Sequence, residues 1–79
     1  MTVEDRVKKV IAKQFSLDEN QITPETYISE DLGADDLDVV ELIMALEEEF
    51  SVEIRDGEID GIMTVGHILD YLKKQGVAE

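Results

Sequence analysis

From Asp36 to Phe50 the chain runs without a glycine or a proline, and its apolar residues divide between two opposite faces of a helix. Placed at steps of about 100° around the axis, Val39, Leu42, Ile43, Leu46 and Phe50 form one stripe. Leu37, Val40 and Met44 form a second, interleaved with Glu41, Glu47 and Glu48. The first stripe suits a core built with other helices. A helix serving only its own core has no need of the second, and an apolar strip rimmed by carboxylates reads as a docking face. The plain alternative is three scattered surface residues, which are normal on any protein.

The remaining periodicity is also helical. Val3, Val7, Val10, Ile11 and Phe15 recur at spacings of three and four, with Glu4 and Asp5 early and Lys13 late, which predicts a first helix over Val3 to Phe15. Ser16 to Asp35 holds Pro24, Gly33 and small polar residues around isolated apolar anchors, Leu17, Ile22, Tyr27, Ile28 and Leu32. It reads as a long ordered loop pinned to the core, and connections beyond about 12 to 15 residues call for a functional reason. A short helical turn is expected near Glu58 to Ile62. Thr64 then caps a last helix through about Lys74, with Val65, Ile68, Leu69 and Leu72 as its stripe and Gly76 where a helix commonly ends. No strand pair, internal repeat, linker or low-complexity tract is visible, so the expectation is an all-α fold: a small four-helix bundle with a long first loop and a short third helix.

Size and charge limit what such a bundle can do. The 79 residues leave room for one domain, residues 1–79, and one small core; a domain this size buries only about 60% of its unfolded surface, and a deep catalytic cleft is not expected. Without cysteine there is no disulfide, thiol nucleophile or zinc–thiolate site. The amino terminus lacks a basic, apolar leader and no segment approaches the roughly 20 apolar residues that span a bilayer, so a soluble, cytoplasmic monomer is expected. Twenty acids against seven bases give a net charge of −13, which argues against nucleic acid or anionic lipid as a ligand. Arg55 is the only base between Gln14 and Leu72, leaving the middle of the chain an acidic block. With 43% hydrophobic residues in clear periodicity the chain is too apolar to be disordered, and its partners should be basic.

One stretch points to a family. Glu30-Asp31-Leu32-Gly33-Ala34-Asp35, then Leu37-Asp38, Val40-Glu41-Leu42 and Met44-Ala45-Leu46-Glu47-Glu48-Glu49-Phe50, resembles the centre of bacterial acyl carrier proteins. Arg6-Val7-Lys8-Lys9-Val10-Ile11 is similar to their first helix, Glu53-Ile54 to their second loop, and Thr64-Val65 with Asp70-Tyr71 to their last helix. The resemblance implies a four-helix bundle that presents intermediates to enzymes of fatty-acid or related acyl synthesis, and no catalysis of its own. It implies that Asp35, Asp38, Glu41, Glu47 and Glu48 meet basic patches on those enzymes and on phosphopantetheinyl transferase, while Leu37, Val40 and Met44 pack against them. It also implies an acyl pocket between helix two and the later helices, lined by Val7, Leu46, Ile54, Ile62 and Ile68.

The departure is at position 36. Family members carry Asp-Ser-Leu, whose serine takes up a 4'-phosphopantetheine arm from coenzyme A; this chain has Asp35-Asp36-Leu37. A carboxylate is a poor nucleophile there, and its product would be a hydrolysable acyl phosphate, so the arm is not expected. Ser16, Ser29 and Ser51 lie outside the motif. The aromatic Tyr27 also precedes Ile28-Ser29-Glu30 where the family more often has an aliphatic and two acids. Asp36 has a structural reading as well, since a carboxylate in a first helical turn accepts backbone N–H groups and favours the dipole. Three origins stay open: a deliberate serine replacement, a natural paralogue that binds without carrying, and a carboxylate that imitates the charge of a phosphodiester. The competing function is therefore a regulatory or structural interaction protein derived from the carrier fold.

Two further features are weaker. Asp56-Gly57-Glu58-Ile59-Asp60-Gly61 imitates the first half of an EF-hand loop, but the twelfth position is His67 instead of the bidentate glutamate. No dedicated metal site is expected, only weak divalent-cation binding to the acidic surface. His67 has no serine or cysteine beside it in sequence and reads as a surface or helix-packing residue; Tyr71 and Phe15 read as core.

Overall fold

A computed structural model describes residues 1–77. It contains α1 (Val3–Phe15), a 3₁₀ turn (Glu19–Gln21), α2 (Asp36–Phe50), α3 (Asp56–Ile59) and α4 (Val65–Lys74), a small four-helix bundle. The three long helices begin alike. Thr2, Asp35 and Thr64 each lie in extended backbone, and each side chain accepts the N–H of the residue three further on, Asp5, Asp38 and His67, whose own side chain reaches back. Such reciprocal caps satisfy two donors that a helix start leaves without partners. α1 and α2 also end alike: Ser16 and Ser51 adopt the left-handed conformation at φ 55° and 54°. Leu17 N–H then bonds Ala12 O and Val52 N–H bonds Glu47 O, the six-residue closure of a Schellman ending.

Val7, Ile11, Leu42, Leu46, Val65, Ile68 and Leu72 are fully buried and join α1, α2 and α4 in one core. Arg6 clamps the far end of α2 to α1: its guanidinium meets Glu49 Oε2 at 3.1 Å, donates to the Glu49 carbonyl at 3.0 Å and lies 4.4 Å from the centre of the Phe50 ring.

The long crossover is pinned to this core by Ile22, Ile28 and Ala34, all buried. Leu17 and Leu32 are half-buried, but Tyr27, expected as an anchor, is exposed. Backbone pairing explains this. Ile28 N–H bonds Met63 O at 2.9 Å and Val65 N–H bonds Thr26 O at 3.0 Å, lacing the loop to the approach of α4 through an isolated bridge between Tyr27 and Thr64. In extended backbone alternate side chains point to opposite sides, so burying Ile28 turns Tyr27 and Ser29 outward. Gly66 keeps this seam close: its N–H bonds Pro24 O at 2.8 Å, and a Cβ there would stand 3.1 Å from that oxygen.

α3 starts two residues before the expected turn and ends before Ile62. It has no side-chain cap; the Arg55 carbonyl accepts from Glu58 and Ile59, so local backbone bonding sets its start.

Candidate functional site: the first half of α2 and its cleft

α2 shows both faces read from its spacing. Leu42, Ile43, Leu46 and Phe50 are buried and Val39 is half-buried, while Leu37, Val40 and Met44 on the opposite side are 66%, 47% and 60% exposed. No lysine or arginine occurs on this helix. Among the described residues three of the seven bases form ion pairs, Arg6 with Glu49, Lys8 with Glu4 and Lys9 with Glu19, and of these acids only Glu49, at the far end, lies on α2.

The carboxylates along this face are not equivalent. Asp35 Oδ1 accepts Asp38 N–H at 2.9 Å and Asp38 Oδ2 accepts Asp35 N–H at 3.1 Å, so both are engaged in starting the helix. Glu47 Oε2 accepts Ile54 N–H at 2.8 Å across the turn after α2 and is half-buried. Glu41 and Glu48 are exposed and make no hydrogen bond or ion pair within the described residues. Asp36 differs from its sequence reading as a cap. It is the first helical residue, exposed, and its carboxylate has no partner among the described residues, because Asp35 occupies the capping position.

Beside Asp36 lies a surface cleft of about 470 Å³. Its apolar walls come from three places: Val39 and Val40 of α2, Ile59 and Ile62 around α3, and Tyr27 and Met63 at the laced seam. Asp36, Val39 and Val40 reach it together because residues three and four apart share a helix face. Ser29, Glu30 and Asp60 complete the lining. Among the described residues no base lines the cleft, and neither Glu30 nor Asp60 has a hydrogen-bond or ion-pair partner. Of the residues expected to line an acyl pocket, Ile62 alone faces this cleft; Val7, Leu46, Ile54 and Ile68 are buried in the core. Tyr27, Ser29, Glu30, Ile59, Asp60 and Met63 were not expected here. Alternation around Ile28 could have found Tyr27 and Ser29, which it throws outward once that residue is pinned; no local pattern marks Glu30, Ile59, Asp60 or Met63, which tertiary packing brings to the cleft.

His67 supports the cleft from behind. Its Nδ1 accepts the N–H groups of Met63 at 3.0 Å and Thr64 at 3.2 Å, which fixes the backbone on which Met63 stands. Tyr71 donates its hydroxyl to Glu53 O at 3.0 Å. The EF-hand-like run is broken by structure, since its first four residues form α3. Among the described residues no group of three or more His, Asp or Glu side chains is placed to hold a metal ion, and no helix is long and apolar enough to cross a membrane.

Residues 5–72 match the family described as the phosphopantetheine attachment site. The chain belongs to that family and is a protein of acyl carrier type. The matched range runs from the first turn of α1 to the last buried leucine of α4, so it takes in the cleft and every buried core residue except Val3. The carrier family attaches its prosthetic group as a phosphodiester, which requires a hydroxyl. Asp36 offers a carboxylate at an accessible, uncommitted position, and Ser29 is the one hydroxyl amino acid other than tyrosine in the cleft lining.

Proposed function

We propose that this protein is a non-enzymatic carrier-type module of fatty-acid or related acyl biosynthesis that docks on basic enzyme surfaces through α2, and that Asp36, standing where the resemblance places the attachment serine, keeps it from taking up phosphopantetheine. The observation that carries the reading is the exposed strip of Leu37, Val40 and Met44 on a helix that bears acids and no base. Exposed apolar side chains next to carboxylates favour a partner with the same pattern in opposite charge, and the charges raise the rate of encounter more than its strength. Glu41 and Glu48 are the carboxylates best placed for that encounter because none of the described residues engages them; Asp35, Asp38 and Glu47 contribute through oxygens not already bonded. With a serine restored at position 36, Ile62 would mark where the cleft meets the core residues Val7, Leu46, Ile54 and Ile68 of the proposed acyl pocket.

A second reading has its own support. The missing hydroxyl at Asp36 favours an interaction protein that has left carrying behind and uses the same face to bind. The two separate on intact mass after incubation with coenzyme A and a broad-specificity phosphopantetheinyl transferase. The carrier reading expects the chain as it stands to be unchanged and Asp36→Ser to gain one phosphopantetheine, mapped to position 36. Failure of Asp36→Ser to gain mass supports the interaction protein, and modification of the unaltered chain at Ser29 overturns the account of position 36.

A further inference from the structure

The cleft beside Asp36 combines two properties that seldom share a surface: apolar walls and three carboxylates, Glu30, Asp36 and Asp60, without a counter-charge among them. We propose that it receives an arginine side chain of a partner protein, whose stem lies along Val40 and Met63, whose guanidinium stacks on Tyr27, and whose charge is met by the three acids. This rests on the reading of α2 as a face for basic partners and adds where one particular residue of such a partner goes.

The chemistry selects arginine over other cations. An ammonium is compact and strongly hydrated, and loses that hydration against apolar walls; a guanidinium is planar, more weakly hydrated, stacks on aromatic faces and can bond two carboxylates at once. Its three-carbon stem tolerates burial while its head stays among charges. A bare metal ion is disfavoured because the acids form no ligating cluster, and an anionic ligand would meet three negative groups. A second copy of the chain is a poor donor: Arg6 is held by Glu49, and two chains that each carry a net charge of −13 repel. The walls are also set in place before any partner arrives, since Tyr27 and Met63 stand on backbone laced by the Ile28–Met63 and Thr26–Val65 bonds.

The test is a titration of the full chain with N-acetyl-arginine methylamide and, separately, its lysine counterpart, followed by ¹⁵N–¹H NMR at constant ionic strength. The expected result is saturable shifts concentrated at Tyr27, Glu30, Ile59 and Met63, larger for the arginine probe. Binding should weaken by about three- to tenfold in Glu30→Gln/Asp60→Asn, as expected for loss of two exposed charge contacts, and remain in Glu25→Gln/Asp70→Asn, two exposed acids outside the cleft lining. None of these four side chains bonds another described residue, and the dispersion of each spectrum reports that the variant is folded. Shifts spread evenly over the acidic surface, equal responses to arginine and lysine, or full binding by Glu30→Gln/Asp60→Asn would each overturn the proposal. The docking reading is judged separately: if Asp36→Ser is loaded by the transferase but the arginine probe leaves the cleft unchanged, the cleft inference alone fails. If Asp36→Ser is not loaded, the carrier reading fails whatever the probe does, and the same face of α2 passes to the interaction-protein reading.

Discussion

Glu47 lies beside the exposed strip by helical spacing, yet its carboxylate turns away from solvent to take the N–H of Ile54. That bond closes the turn between α2 and α3, and nothing else in the fold is shown accepting from this donor. Glu47→Ala should therefore lower stability by about 1–2 kcal/mol, the cost of leaving a partly buried donor without an acceptor. Glu48→Ala, which removes only an exposed charge, should stay within about 0.5 kcal/mol. Thermal melts of the two variants check this, with a fall of several degrees expected for Glu47→Ala alone. Equal melting temperatures would show that water replaces the carboxylate at no cost. Helical spacing could place Glu47 and Glu48 side by side but could not tell them apart, because the distinction depends on where a turn seven residues later brings its backbone.

Among the elements, the bounds read from sequence agree with the fold where side chains terminate the helix. α1 and α2 follow their apolar spacing and their first-turn acids, and α4 follows Thr64 and its buried stripe. α3 was displaced because four residues with no side-chain cap leave little periodicity to read, and the Arg55 carbonyl decides the start. The cleft was hidden for a related reason: it is assembled from the crossover, α2 and the approach to α4, and only the lacing of Ile28 to Met63 reveals that Tyr27 faces outward. The helix ends carry a further consequence. Ser16 and Ser51 are non-glycine residues in a conformation that costs an L-amino acid roughly 1–2 kcal/mol. Replacing either by glycine removes that strain and adds freedom to the unfolded chain, for a net gain of about 0.5–1 kcal/mol each. Denaturant midpoints of Ser16→Gly, Ser51→Gly and the pair should rise additively, since the two ends share no partner; unchanged midpoints would mean that the serines are unstrained where they are.

On the scale of the whole molecule, a charge of −13 on 79 residues works against the compact state. The three ion pairs among the described residues all involve α1, so the repulsion is concentrated around α2, α3 and the crossover. Screening shortens its range, to about 10 Å at 0.1 M salt, and the melting temperature should rise by several degrees between about 10 mM and 0.5 M sodium chloride. Differential scanning calorimetry at matched pH measures it, and a flat or falling temperature would mean that the lysine pairs on α1 outweigh the crowded acids. The acidic character and the bundle were both legible in the sequence, whereas the division of the acids into bonded and unbonded groups was not. The seam between the crossover and α4 gives the cleft a property of its own. Residues 26–28 and 63–65 share backbone bonds, so Tyr27 and Met63 cannot drift apart without breaking them. The ordering of that rim is completed during folding, and a visitor to it has little conformational entropy left to remove.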